Sequence, residues 1–199
     1  VSRYLASLPA EQRLSQLADS LFFDLAQVEA PSGILAIVPH PNRDSAPALD
    51  CDTVVLDGLQ DPGNVGSILR SAAAAGFRQV VLSKDCAQAW SPKVLRAGMG
   101  AHFQLSVHEG VDLCAFLASY GGQAMLTTLD RQAHSLYSAD LKHAVAWVFG
   151  NEGQGVSSAV ADLIRCHVRI PMPGESESLN VAAAAAICLF ETVRQRLPG

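Results

Sequence analysis

From residue 53 onward, short apolar runs alternate regularly with segments of helical character. The runs at 53–56, 79–82, 103–107, 123–128, 144–149 and 166–170 are each strand-length and largely apolar or β-branched. Between and after them lie helix candidates at 65–75, 92–97, 111–119, 156–164 and 179–196. Strands separated by helix-length connections are joined in parallel, so the sequence predicts an α/β domain with a mostly parallel sheet and helices on both faces. In such a sheet the loops that leave the strands share one edge, and ligands bind there. Three polar loops of this kind stand out, at 57–66, 150–155 and 171–180.

Composition narrows the class further. Charged residues make up 17% of the chain, below the usual ~25%, and hydrophobic residues make up 49%. Such a chain builds a large core and has apolar surface left for a subunit interface. No apolar run approaches the ~20 residues that span a bilayer. The five cysteines (Cys51, Cys86, Cys114, Cys166, Cys188) are scattered and odd in number. They form no C-x-x-C pair, so neither a metal site nor a disulfide framework is expected, and a reducing, cytoplasmic setting is. The net charge of −5 argues against binding of nucleic acid by the whole surface. From 62 to 108, however, five basic residues (Arg70, Arg78, Lys84, Lys93, Arg96) face a single acid, Asp85. This stretch reads either as a local basic face or as ordinary solvated charge.

The first 47 residues stand apart. Leu14, Leu17, Leu21, Leu25 and Val28 have helical spacing within 11–28, and 34–38 is a short apolar strand candidate. Three prolines within 39–47 then read as a linker. The expected division is therefore 1–47 and 48–199. The earlier part is too short for a comfortable core of its own and reads as the tail of a truncated domain.

Each loop admits a structural and a functional reading. Asn64 lies between Gly63 and Gly66 at a helix start. It serves either as the N-cap or as part of a site where the backbone approaches a ligand. Arg70 follows about two turns later, as a surface ion-pair partner or an anion ligand. In Gly150-Asn151-Glu152-Gly153-Gln154-Gly155 the dinucleotide fingerprint is not met, and Glu152 would repel a pyrophosphate. The third loop is long for a connection within an α/β unit, with Ser178 or Asn180 available as the cap of the last helix.

Taken together, Asp61-Pro62-Gly63-Asn64-Val65-Gly66-Ser67-Ile68-Leu69-Arg70, Phe149-Gly150-Asn151-Glu152-Gly153-Gln154-Gly155 and Ile170-Pro171-Met172 through Ser178-Leu179-Asn180-Val181 resemble the motifs of the SpoU (TrmH-like) branch of the SPOUT RNA methyltransferases. The resemblance covers residues 52–197. Departures are confined to Asn151, where members vary, and Gly98, which stands in place of a common serine. The segment 31–38 looks like the end of the small L30e-like substrate-binding domain that precedes many members.

The resemblance implies a C-terminal trefoil knot, a homodimer, S-adenosylmethionine as methyl donor and a ribose 2′-hydroxyl in RNA as acceptor. Ribosomal RNA is favoured over transfer RNA, and no metal or membrane is involved. It implies catalytic roles for Asn64, Arg70, Glu152, Ser178 and Asn180, with Arg70 at the acceptor. It implies cofactor contacts from Thr127, Gly150, Ile170, Met172 and Leu179. Two other readings stand beside it: a noncatalytic RNA-binding or assembly factor with the same fold, and a nicotinamide-dependent oxidoreductase, which lacks its fingerprint.

Overall fold

The computed structural model describes residues 2–5, 7–9, 11–26, 30–39, 45–130 and 132–197. Its contacts divide the chain into two units, Val1–Pro41 and Asn42–Gly199.

The first unit contains helices α1 (Ser2–Leu5) and α2 (Asp19–Ala26). The helix expected over 11–28 is thus confined to its second half, and Val28 lies outside the described residues. Leu14 is 61% exposed and none of α2 is buried. An apolar stripe without a core to receive it does not hold a long helix in water. The strand expected at 34–38 does not form. A strand needs a hydrogen-bonded neighbour, and none is present among the described residues of this unit; Ile37 is 93% exposed. Most of the proline-rich segment, 40–44, lies outside the described residues.

The second unit is built on seven parallel strands: β1 (Thr53–Asp57), β2 (Gln79–Leu82), β3 (Ser106–His108), β4 (Gln123–Thr127), β5 (His134–Ser135), β6 (Val145–Gly150) and β7 (Cys166–Arg169). Their order is β3-β2-β1-β6-β4-β7-β5, and every pairing is parallel. The register sets Thr53 beside Gln79 on one side and beside Ala146 on the other.

Side-chain alternation along these strands makes two cores. Val54, Leu56, Val80, Leu82, Met125, Trp147 and Phe149 face helices α3 (Pro62–Ala74), α4 (Pro92–Gly98) and α7 (Val181–Arg196). Val55, Val81, Leu126, Ala146 and Val148 face α5 (Leu113–Ser119) and α6 (Ser158–Ala161). A parallel sheet buried on both faces requires this double set. α7 is fixed to the sheet by a buried indole N–H, donated from Trp147 to the Thr192 hydroxyl at 3.0 Å.

Two local expectations change. The strand expected at 103–107 begins only at Ser106. Met99 ends α4 in the left-handed conformation, and residues 101–103 then make a 3-10 turn that leaves Phe103 exposed. Gly66 leaves no room for a ligand, because it is buried against α4. A Cβ there would overlap that of Ala97 and lie 2.7 Å from the Val94 carbonyl. The glycine lets α3 and α4 approach closely.

Candidate active site

The loop after β1 is ordered from its backbone outward. Asp61 caps α3, accepting the Asn64 N–H at 2.7 Å, and Pro62 occupies the first helical position. Aspartate before proline suits a helix start, since the proline has no N–H to satisfy. Asn64 is therefore not the cap, and its side chain is free for other work.

The loop after β6 is closed by reciprocal backbone hydrogen bonds between Asn151 and Gly155, 2.9 and 2.8 Å. A Cβ on Gly150 would strike the backbone of Gly155 and Val156, so only glycine permits this closure. The Asn151 side chain donates to the Gly58 carbonyl at 2.9 Å and accepts from Gly153 and Gln154. Asp57 accepts the Ser157 N–H at 2.8 Å. The ends of the adjacent strands β1 and β6 are thus stitched together, with Glu152 exposed in the closed turn.

The loop after β7 returns to α7. Asn180 caps that helix, accepting from the N–H groups of Ala182 at 2.9 Å and Ala183 at 3.3 Å. α7 packs against α3, which brings its amino end beside Asn64. There the three loops meet. The Asn64 amide donates to Glu152 Oε1 at 2.9 Å, and its oxygen accepts from the Asn180 amide at 2.9 Å. Glu152 is 88 positions from Asn64 in sequence and Asn180 is 116.

The remaining sequence-derived residues lie around this cluster. Arg70 is exposed on α3 and has no hydrogen-bond or ion-pair partner among the described residues. Ser178 is exposed and unbonded among them and does not join the cluster. Ile170 and Met172 line a cavity of about 460 Å³ together with Thr128, Leu129, Arg169 and Glu177. Thr127, Gly150 and Leu179 do not line it. Thr127 ends β4 next to the wall residue Thr128, Gly150 ends β6, and Leu179 precedes Asn180.

Sequence reasoning missed three contributors. Asp61 was legible as the aspartate before a helix-opening proline. Arg169 was legible as a charge at the carboxyl end of a parallel strand. Asn151 carried no such signal, because its partners come from another loop. Cys86 lies under the first loop, donating to the Leu56 carbonyl, and burial raises its pKa. It is a protonated thiol and a poor nucleophile. Among the described residues no group of three or more His, Cys, Asp or Glu could hold a metal ion. No helix among them is long and apolar enough to cross a membrane.

The chain is 43% identical over 145 residues to the 23S rRNA (guanosine-2′-O-)-methyltransferase RlmB of Xylella fastidiosa (strain 9a5c), a match covering 72% of this chain and 58% of that protein. It is 33% identical over 177 residues to the 23S rRNA (guanosine(2553)-2′-O)-methyltransferase RlmP of Bacillus subtilis (strain 168), covering 87% of this chain and 70% of that one. The chain spans rather more than half the length of the RlmB relatives it matches. A crystal structure of an AdoMet-bound rRNA methyltransferase from Sinorhizobium meliloti aligns with a TM-score of 0.77 and 29% identity, over 91% of this chain and 71% of that one. The model of the SpoU rRNA Methylase family matches residues 52–190, a span that takes in every strand of the sheet and all three loops that meet at Asn64, and on that ground this chain belongs to that family.

Proposed function

We propose that this protein is an S-adenosylmethionine-dependent RNA methyltransferase that modifies a ribose 2′-hydroxyl, with ribosomal RNA as its substrate. The observation that carries the proposal is the Glu152–Asn64–Asn180 relay at the rim of the sheet. It holds a polar group at fixed geometry where a parallel sheet binds its ligands.

The cavity fits the cofactor. Leu129, Ile170 and Met172 offer apolar wall, and Glu175 and Glu177 offer carboxylates that complement a sulfonium and an ammonium. Its volume lies within the range of small-molecule sites. When bound there, the cofactor supplies an electrophilic methyl group and a neutral leaving thioether.

The chain's own residues then have the acceptor to manage. A ribose hydroxyl is a poor nucleophile at neutral pH and must be oriented while it loses its proton. Asn64 and Asn180 orient it, Glu152 holds Asn64 in register, and Ser178 closes the pocket from the flanking loop. Arg70 serves as the anion ligand. It binds an RNA phosphate and stabilises charge on the hydroxyl oxygen as the proton passes to solvent water. A guanidinium stays protonated in proteins, so Arg70 acts as an electrostatic stabiliser and not as a base. The exposed Arg70, Lys84, Lys93 and Arg96 supply positive charge for the nucleic acid on an otherwise acidic protein, while Arg78 precedes β2 at the opposite, amino edge of the sheet. Thr127, Gly150 and Leu179 complete the cofactor contacts through loops adjoining the cavity. The preference for ribosomal RNA rests on the two relatives named for 23S rRNA.

We further propose that the protein is a cytoplasmic homodimer. The exposed Met99, Phe103 and Phe190 supply apolar surface for the interface. The C-terminal part reads as a trefoil knot, a reading supported by β6 inserting between the earlier strands β1 and β4. Residues 1–47 read as the end of an L30e-like substrate-binding domain with its linker, ahead of the methyltransferase domain at 48–199.

The test is transfer of label from tritiated S-adenosylmethionine to purified rRNA and tRNA, scored as alkali-resistant dinucleotides. Label is expected in rRNA, and Arg70→Ala is expected to reduce transfer about 10²–10³-fold, the effect of removing one preorganised charge-stabilising donor. No transfer by the wild type, or an Arg70→Ala variant equal to it, overturns the proposal. Label in tRNA alone overturns the choice of RNA.

A further inference from the structure

Helix α7 has its two ends in different company. The amino end holds Asn180 against Asn64, with the Asn180 amide 2.9 Å from the Asn64 oxygen. A hydrogen bond of that length is lost when either partner slides by about 1 Å. Packing on α3 does not set the slide so finely. Where the two helices meet the core they offer small side chains, Ala72 and Ala73 on α3 and Ala182 and Ala185 on α7. Alanines raise shallow ridges, which fix how close two helices lie better than how far one has moved along the other.

The carboxyl end carries polar anchors. Gln195, in the last turn, accepts the Leu141 N–H at 3.1 Å and donates to the Ala139 carbonyl at 3.0 Å and to Glu191 at 2.9 Å. Arg196 donates through Nε to the Leu141 carbonyl at 2.6 Å, and through its terminal nitrogens to the His143 carbonyl and the Asp52 carboxylate. Asp52 stands directly before β1 and accepts the N–H of Val145, the first residue of β6, at 3.0 Å. A helix end leaves its own last carbonyls open, but neither side chain serves them. Both reach across to the chain at 139–143 instead.

The two strands tied at this end are the ones that serve the site at the other. β1 leads into the loop of Asn64 and β6 into the loop of Glu152, while α7 begins directly after Asn180. Helix and strands make a frame closed at both ends. The 16 residues of α7 span about 24 Å, and a hydrogen-bonded helix hardly stretches, so a stop at one end sets the position of the other.

We infer that Gln195 and Arg196 are positioning residues for methyl transfer. They fix where α7 stops along its axis, and thereby where Asn180 stands against Asn64. The inference rests on the methyltransferase reading above and adds to it two residues at the far end of the helix from the site.

The test joins a spectrum to a rate. In proton–nitrogen correlation spectra of the unliganded protein, Gln195→Met and Arg196→Met are expected to move the side-chain amide signals of Asn64 and Asn180 toward those of free asparagine amides. The Asn151 amide, which donates to the Gly58 carbonyl without help from α7, is expected to stay in place. Transfer is then assayed at a temperature where circular dichroism shows every variant folded. Each variant is expected to lower kcat about ten- to hundredfold, the cost of a misplacement of about 1 Å, with KM for S-adenosylmethionine within about twofold. Arg196→Lys keeps the pairing with Asp52 but cannot span both carbonyls, and is expected to lose less. Asn180→Ser keeps a helix cap but has no amide to reach Asn64. In that background Arg196→Met is expected to cost less than about a further twofold, because the contact it disturbs is already gone.

Unchanged spectra and an unchanged kcat in both methionine variants overturn the inference and leave the methyltransferase reading standing. A loss from Arg196→Met that is as large beside Asn180→Ser as alone also overturns it, since the clamp then acts elsewhere than through Asn180. So does a joint movement of the Asn64, Asn180 and Asn151 signals, which marks a general loosening. Where Arg196→Met does not fold, Gln195→Met and Arg196→Lys carry the same comparisons. A wild type that transfers no methyl group to RNA overturns the methyltransferase reading and the inference with it.

Discussion

Asn180 holds two groups at once. Its oxygen accepts the first free N–H groups of α7, and its amide nitrogen donates to Asn64. Aspartate is as good a helix cap as asparagine, but it has no amide to donate. Asn180→Asp is therefore expected to keep the melting temperature within about a degree or two, since the exposed bond contributes little to stability. The same change is expected to lower methyl transfer about a hundredfold, because a carboxylate would face the Asn64 oxygen in place of a donor. Parallel thermal melts and transfer assays measure the split, and equal losses in both would contradict it. That Asn64, Glu152 and Asn180 belong to one site was legible in their placement among glycines and prolines in loops that follow strands. Their pairing was not. It depends on which strand lies beside which, and on α7 returning across α3. Of the two readings of Asn64, the start of the helix excludes the cap. The helix starts at Pro62, and Asn64, already inside it, has its own N–H taken by Asp61.

At the scale of elements, α3 and α4 are held together by the absence of a side chain. Gly66→Ala puts a methyl group against Ala97 and the Val94 carbonyl, neither of which is a flexible chain end. Overpacking of this kind costs about 1–3 kcal/mol. Urea unfolding is expected to show a lower midpoint with an unchanged slope, and methyl transfer is expected to fall as well, since α3 carries both Asn64 and Arg70. An alanine variant as stable as the wild type would mean that the helices can part without cost. The long apolar runs that became β1, β2, β4 and β6 were readable because their burial on both faces leaves an almost unbroken hydrophobic sequence. β5 was missed because two residues, His134 and Ser135, carry no pattern. The stretch 11–28 failed the other way: its helical spacing is real, but Leu14, Leu21 and Leu25 remain exposed, so periodicity had no burial to act through.

Across the whole molecule, stability is tied to pH through buried imidazoles. The ring of His102 bonds the Ala89 carbonyl through Nε2 at 2.7 Å, and a carbonyl can only accept, so the proton sits on Nε2. Nδ1 is then bare, buried and without a hydrogen-bond partner among the described residues. Burial lowers the pKa of His102, and the same cause lowers that of His108. Glu191 is also held below the ordinary carboxylate value, by its hydrogen bond from Arg194. A group whose pKa is depressed in the folded state contributes stability above its unfolded value and loses it as pH falls through the folded one. All three therefore act in the same direction. The melting temperature is expected to be level between about pH 7 and 8 and to fall by several degrees on acidification below about pH 6.5, where the unfolded imidazoles begin to take up protons. His102→Gln, which keeps a donor for Ala89, is expected to flatten the upper part of that decline in calorimetric scans. A pH profile identical to the wild type would exclude His102 as a source. One last consequence comes from the margins of the sheet. It stops at three residues on one side, in β3, and at two on the other, in β5. Stubs of that length give a foreign strand almost nothing to zip onto. For a partner strand, the ladder of this sheet is closed to recruits.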